Sequence, residues 1–597
     1  MRKDENMLKL LKNMTKKDLL IAIIIMVLVV FQVWLDLKLP DYMSEITKLV
    51  QTEGSDMVDI LKNGGYMLAC AFGSLIAAVV TGYFTSSVAS NFSKNIREKI
   101  FHKVEELSMS EVKGFSTSSL ITRNTNDVTQ VEMLVGMGLQ LLIKAPITAV
   151  WAVTKILNKS WQWSAITGVA VIILLSVIAV LTAIVMPRFT IVQRLIDKLN
   201  GATRENLTGI RVVRAFNAEN YQEQKFEEVN QRLTKQQMFN QKTFAIMQPV
   251  MYLVMYGLTL AIYFVGAHLI QDAMMADKLN LFGNMIVFSS YAMQVIMSFL
   301  MLAMIFMMLP RAQVSARRIN EVLDQKSSII DGTLTQDKTD ERGTIVFKNV
   351  YFKYPDGEEY LLKNINFEVK AGETIAFIGS TGSGKSSLVN LIARFYDVTE
   401  GEILIDGVNI KEYKQEFLYD KLGYVPQKAV MFNGTVSSNI TYGDNGKGSI
   451  TEQKVKDAIR VAQATEFVEK MDGTYQAHMA SNGTNVSGGQ KQRLSIARAI
   501  ARDPEIYIFD DSFSALDYKT DQILRKELKK YTGGATTVIV AQRIGTIMNA
   551  DKIVVLNDGE IAGMGTHQEL LKNCEIYQQI ALSQLSKEEL ENDGKKQ

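Results

Sequence analysis

Eight consecutive residues carry the clearest chemistry in this sequence. Gly379-Ser380-Thr381-Gly382-Ser383-Gly384-Lys385-Ser386 match G-x-x-x-x-G-K-[ST], the spacing of a phosphate-cradling loop. Glycines at those places let backbone N–H groups close on an anion at a helix N-terminus, where the helix dipole favours negative charge. Lys385 adds a point charge for the β- and γ-phosphates of a nucleoside triphosphate, Ser386 a hydroxyl for Mg²⁺, and Ser387 continues the site into the helix. Such a loop needs a strand before it and a helix after it. Thr374-Ile375-Ala376-Phe377-Ile378 is a short apolar run of buried-strand type, and Leu388, Leu391 and Ile392 recur at helical spacing.

Five further elements accompany the loop in a fixed order. Tyr354, in Phe352-Lys353-Tyr354-Pro355, precedes it and offers a ring on which an adenine can stack. Gln427, in Val425-Pro426-Gln427, offers an amide to Mg²⁺ or to an attacking water. Ser487-Gly488-Gly489-Gln490 presents a hydroxyl and close backbone N–H groups to a phosphate. Ile506-Tyr507-Ile508-Phe509-Asp510 is a buried strand ending in a carboxylate suited to Mg²⁺. Ser514-Ala515-Leu516-Asp517 follows at once. Singly these are a surface tyrosine, a loop amide, a turn and a strand end; their order is what is specific.

The elements that must position this chemistry occupy the second half of a chain too long, at 597 residues, for one domain. Apolar residues make up 47% of it, and all the long apolar runs fall within the first 310 positions. Six stretches, near 19–39, 66–84, 133–157, 163–185, 244–270 and 281–309, are each long enough for a bilayer core. The segment 40–65 is acidic, whereas 85–132 and 186–243 are long and rich in Lys and Arg. The positive-inside rule then puts both termini in the cytoplasm. Ile96, Ile100, Val104 and Leu107 recur at helical spacing, so the second span is expected to continue as a helix beyond the bilayer, and the same is expected around Ile210, Val213 and Phe216. Residues 1–18 read either as an amphipathic helix on the membrane surface or as a basic tail. Trp151, Trp161 and Trp163 fall where an outer aromatic belt would lie. Lys144 sits within the third span, where it either snorkels from the cytoplasmic boundary or is a functional charge. A stripe of Met293, Met297, Met301, Met304 and Met308 fits helix packing and lipid contact, or a surface for varied apolar ligands.

A net charge of only +2 gives no global basic field, and no nucleic-acid partner is expected. Cys70 and Cys574 lie in different halves, and four scattered histidines have no metal-ligand spacing. The domains are read as a transmembrane domain over 1–323, a linker over 324–343, a nucleotide-binding domain over 344–582 and a charged tail over 583–597. The fold class is an α-helical six-span transmembrane domain with long cytoplasmic helices, followed by an α/β P-loop ATP-binding cassette.

On these motifs the chain resembles the ATP-binding cassette exporters over nearly its whole length. In that family two cassettes dimerise head to tail, and each ATP lies between one subunit's phosphate loop and the other's Ser-Gly-Gly-Gln signature. With one transmembrane domain and one cassette, this chain is expected to be half of a dimer in a lipid bilayer, using ATP and Mg²⁺. Ser119–Val131 and Glu205–Glu219 look like the loops that carry the family's coupling helices.

Two catalytic positions depart from the family. Its general base is a glutamate directly after the Mg²⁺-binding aspartate, and here that residue is Asp511. Its switch histidine follows the next strand, and here Gln542 stands there. An amide bonds a γ-phosphate but carries no charge and gives no proton. Val486 replaces the usual leucine before the signature, and Met479-Ala480-Ser481-Asn482-Gly483 lacks a common glutamate. The resemblance therefore points to the degenerate-site subunit of a bacterial heterodimeric multidrug exporter in the cell membrane. Its expected partner is a second half-transporter with a competent site, and its substrate a small amphipathic or apolar compound. A homodimeric lipid or drug exporter and an ATP-gated regulatory or channel subunit are the alternatives.

Overall fold

The computed structural model describes residues 5–52, 54–157, 161–443 and 446–584, and most of the expected charged tail lies outside them. The chain divides into two compact units, Met1–Val104 with Thr117–Asp324, and Glu105–Ser116 with Gln325–Gln597.

The first unit is helical: α1 (Glu5–Leu11), α2 (Lys16–Gln51), α3 (Met57–Glu106), then α4 (Met109–Gly114, which groups with the second unit), α5 (Thr117–Thr122), a π-helical turn at Arg123–Asp127, α6 (Val128–Leu157), α7 (Trp161–Thr208), α8 (Ile210–Ala215), α9 (Glu219–Asp272) and α10 (Met275–Leu323). Six of the described helical stretches are long and apolar enough to cross a bilayer; the first five each contain one of the expected spans, and the sixth, Asp277–Leu302, overlaps the one expected near 281–309. The continuation of the second span holds, since α3 runs unbroken for 50 residues. The continuation around Ile210 does not, because α7 stops at Thr208 and Ile210 and Val213 belong to the separate six-residue α8.

Several side chains lie elsewhere than their residue types suggest. Met7 and Leu10 of α1 are buried in protein, with Asn320 of α10 donating to the Asn6 carbonyl at 2.9 Å, so the amphipathic face of α1 is covered by helix and not by lipid. Trp163 is fully buried against Phe288, ring centres 5.3 Å apart, and so is a core residue and no belt anchor. Lys144 does not stand alone: its ammonium is 3.3 Å from Asp36 of α2, whose carboxylate also accepts from Ser74. Pairing is the cheap way to hold a charge in hydrocarbon. Nearby, Asp41 takes Lys155 at 2.8 Å and the Tyr291 hydroxyl at 2.7 Å. At the π-turn, buried Arg123 and Asp127 engage Glu321 and Arg318 of α10 at 3.0 and 3.2 Å.

The second unit carries β1 (Ile345–Phe352), β2 (Leu362–Val369), β3 (Thr374–Gly379), α11 (Lys385–Ile392), β4 (Glu400–Ile405), β5 (Val408–Asn409), β6 (Leu422–Val425), β7 (Gly434–Thr435), β8 (His478–Met479), β9 (Ile506–Asp510), β10 (Thr536–Val540), β11 (Lys552–Asn557) and β12 (Glu560–Gly565). A six-stranded sheet runs in the order β12-β11-β3-β10-β9-β6, parallel except for edge strand β12. Its strands read as continuous apolar runs because helices cover both faces. An antiparallel sheet, β2-β1-β4-β5, packs Phe347 on Phe367 at 4.4 Å.

Residues 325–343 group with this unit through polar contacts. Lys421, 4% exposed at its side chain, meets Asp337, Asp406 and Glu505 at 2.6, 2.8 and 2.8 Å. Burial pushes its pKa down, but these three carboxylates more than offset that and hold it above the ordinary lysine value. Lys421→Ala leaves Asp406 buried without a counter-charge, at a cost of about 3 kcal/mol. We expect the thermal midpoint of the second unit to fall by about 10 °C in calorimetry of the full chain; an unchanged midpoint would refute the role given to this lysine.

Candidate active site

Strand register gathers the site. In the parallel sheet Val540 pairs with both Phe377 and Asp510, and Val425 pairs with Phe509. The carboxyl ends of β3, β10, β9 and β6 therefore lie side by side, the edge at which α/β sheets bind ligands. From them issue the phosphate loop, Gln542, Asp510 with Asp511, and Gln427.

The loop's glycines are required by its neighbours. A Cβ on Gly379 would lie 2.1 Å from the Leu556 carbonyl oxygen of β11, and one on Gly384 2.5 Å from Leu362 Cδ2. Gly384 also has φ +97°, in the left-handed region, and it starts α11. Lys385 curls back over the loop, its ammonium donating to the carbonyls of Gly379 at 2.9 Å and Ser380 at 2.6 Å, and to Ser383 Oγ at 3.3 Å. Burial pushes its pKa down, with the negative charges of Asp511 and Asp510 working the other way.

Ser386 Oγ donates to Asp510 Oδ1 at 3.0 Å, so the hydroxyl and carboxylate expected on one Mg²⁺ already face one another. Oxygen donors of this kind suit that hard cation. Asp510 is 5% exposed, and burial raises its pKa against the Ser386 hydrogen bond.

Asp511 has φ +48° and is 7% exposed; its N–H donates to the Val540 carbonyl at 3.0 Å. Its Oδ2 accepts from Gln542 Nε2 at 2.8 Å and from Gln427 Nε2 at 3.3 Å. Burial raises its pKa, opposed by the hydrogen bonds from those two amides and from Ser514. Both departures from the family pattern thus meet in one contact. Gln427 was expected to face Mg²⁺ or water, and here its described partner is Asp511.

The remaining expected residues fall in two places. Tyr354 lies half-buried after β1, its hydroxyl 2.8 Å from Ser387 Oγ, which engages Ser387 with the tyrosine. Ser380, Thr381 and Gly382 are exposed along the loop, and Ser383 is buried. The signature is not joined to this cluster by its described hydrogen bonds, which run within its own turn. Ser487 caps the helix Gly488–Arg502, accepting from Gln490 N at 3.3 Å while its own N–H donates to Gln490 Oε1 at 2.8 Å. Ser487 and Gly488 face solvent, and Gly489 packs near the Ala515 carbonyl. Missed from sequence were Tyr396, which packs on Tyr354, and Lys113, whose ammonium lies over the Tyr354 ring. Of the segments expected to carry coupling helices, Ser119–Val131 and Glu205–Glu219 both group with the first unit, while the short helix α4 groups with the second.

Comparison with known proteins agrees with this architecture. The family model described as "ABC transporter transmembrane region" matches residues 22–299, and that described as "ABC transporter" matches 362–514. An uncharacterized ABC transporter ATP-binding protein of Mycobacterium tuberculosis is 37% identical over 549 residues, covering 92% of this chain and 93% of that protein. The chain belongs to the ABC transporters. It is similar as well to an ATP-dependent lipid A-core flippase of Pseudoalteromonas translucida, 29% identical over 89% of this chain and 90% of that one. Its fold is that of a bacterial Atm1-family ABC exporter solved with ATP bound (TM-score 0.80, 24% identity, covering 95% of this chain and 98% of that one). This ABC transporter is accordingly a multi-pass membrane protein and an ATP-hydrolysing transporter of exporter architecture, a class that acts as dimers in a lipid bilayer.

The cradle geometry makes a sharp prediction. Gly379→Ala should abolish MgATP binding by the purified full chain, because a backbone carbonyl stands where its Cβ would go. Gly382→Ala meets nothing within 4 Å and carries only the strain of φ +88°, so affinity should fall by no more than about tenfold. Equal losses in equilibrium binding would contradict this account of the loop.

Proposed function

We propose that this chain is one subunit of a heterodimeric ATP-driven exporter, contributing a site that holds MgATP and hydrolyses it slowly. The observation that carries the reading is the Asp511–Gln542 contact at 2.8 Å. A general base must reach the proton of the attacking water, and a carboxylate one methylene shorter than glutamate starts further back. Two amides hold it there. Misplacements of about 1 Å can cost about a hundredfold in rate. Gln542 donates to the base and to a γ-phosphate but cannot take up a proton or become cationic as the transition state gains charge.

The binding half of the site is complete in this reading. The loop from Gly379 through Gly384 cradles the phosphates with its N–H groups, Lys385 neutralises the β- and γ-oxygens, and Tyr354 stacks on the base. Mg²⁺, held by Ser386, Asp510 and Gln427, supplies charge neutralisation at the phosphates. Ser487 and Gly488 face solvent, with Gly489 and Gln490 partly buried behind them, which suits the signature Ser487-Gly488-Gly489-Gln490 to completing a partner's site. The partner is a second half-transporter with a competent catalytic pair. The substrate is a small amphipathic or apolar compound, in keeping with exposed Met297 and Met304 on α10. Both termini are cytoplasmic and the bilayer is the cell membrane.

The similarity to lipid A-core flippases favours one second reading, a homodimeric lipid exporter. ATP-dependent lipid movement in vesicles containing this chain alone would establish it.

The test is MgATP turnover by the purified chain and by Asp511→Glu/Gln542→His. The unmodified chain should bind MgATP yet turn over slowly, and the double variant should gain roughly tenfold to a hundredfold in kcat. Brisk turnover by the unmodified chain would end the slow-site reading. Residual hydrolysis should also fall as pH drops through the raised Asp511 pKa, because only the ionised carboxylate accepts a proton; a flat profile would mean that Asp511 is not the base.

A further inference from the structure

Between α3 and α5 the chain leaves the first unit, and Glu105–Ser116 groups with the second. At the start of α4 the Ser108 N–H donates to Glu111 Oε2 at 3.2 Å, and Ser108 Oγ lies 3.1 Å from Ser328 Oγ. Near its other end Lys113 reaches a pair of rings. Its ammonium is 5.3 Å from the centre of Tyr354 and 5.2 Å from that of Tyr396. Tyr396 is 6% exposed and meets Tyr354 edge to face, centroids 5.1 Å apart at 89°. Phe352 meets Tyr354 at 4.9 Å and 75°. Tyr354 is therefore held at its hydroxyl by Ser387, at its sides by two perpendicular rings, and at its face by a cation. The Tyr396 hydroxyl beside the ammonium holds the Lys113 pKa above its ordinary value, so this group stays charged.

We propose that Lys113 is a positioning residue for purine recognition: it orients the Tyr354 ring on which the base of ATP stacks, and thereby makes segment 105–116 responsive to that base. The inference rests on reading Tyr354 as the base-stacking ring. The described ring partners of Lys113 are Tyr354 and Tyr396 and none lies in the phosphate loop, so the effect is expected on binding of the base and not of the triphosphate. Coupling between two sites is reciprocal: if Lys113 strengthens base binding, the base stabilises the segment that carries Lys113. An arginine preserves the cation and its stacking on an aromatic face, whereas methionine keeps length without charge.

The experiment compares MgATP with magnesium tripolyphosphate, which has no base, on the full chain in nanodiscs. Affinities are measured for the unmodified chain, Lys113→Met, Lys113→Arg and Tyr354→Ala. Hydrogen exchange across 105–116 is followed in parallel. Lys113→Met should bind MgATP roughly fivefold more weakly, with tripolyphosphate affinity unchanged and Lys113→Arg near the unmodified value. MgATP, and not tripolyphosphate, should slow exchange in α4, and Lys113→Met should lose that difference. If Tyr354→Ala loses the preference for MgATP while Lys113→Met keeps both the preference and the exchange effect, the inference fails and the tyrosine reading stands. If Tyr354→Ala keeps the preference, the tyrosine reading fails and the inference with it. Equal weakening of both ligands by Lys113→Met would mark a merely structural residue and also overturn the proposal.

Discussion

Two carboxylates, Asp510 and Asp511, lie next to one another at the buried edge of a parallel sheet, each less than a tenth exposed. Like charges so placed repel, and burial adds to the cost of ionising either one. The surrounding residues answer that cost. Ser386 donates to the first carboxylate, Gln427 and Gln542 to the second, and the Lys385 charge lies near both. Each helper arrives on a different strand end or on the loop after β3, so the register of β3, β10, β9 and β6 is the constraint on which the chemistry depends.

On the proposed reading, that arrangement is how two small departures from the family pattern would slow a whole site. A glutamate and a histidine would pair as a base and a proton-accepting ring. An aspartate and a glutamine pair as an acceptor and a fixed neutral donor. Their hydrogen bond satisfies two polar groups in a buried place and so stabilises the site, yet it engages the carboxylate that water would need. The fold and the phosphate cradle are unaffected, since neither Asp511 nor Gln542 supports the loop from Gly379 to Gly384.

How much was readable beforehand follows from how local each feature is. The phosphate loop, its strand and its helix are set by neighbouring residues, and the six spans by length and apolarity, so both were legible. The order of motifs implied that Ser386 and Asp510 would meet. What escaped depends on rotational phase and on distant partners. Periodicity does not say which face of α6 turns to α2, so the pairing of Lys144 with Asp36 was hidden. Trp163 looked like an interface anchor because only its place near a helix start was visible, not its packing on Phe288. Lys113 and Tyr354 are brought together by the path of a whole domain, and nothing in either local stretch announces it. The end of α7 at Thr208 was missed because apolar spacing continues across Gly209 while the helix does not.

The central claim is that this site keeps ATP and is slow to break it. The most direct measurement is the chemical identity of the nucleotide retained by the full chain in nanodiscs. The protein is incubated with MgATP, freed rapidly of unbound nucleotide, denatured and assayed. The account predicts intact ATP as the dominant retained species long after a competent ABC site would have converted it. Retention chiefly of ADP would contradict it, since Asp511 would then be serving as an effective base despite its two amide partners.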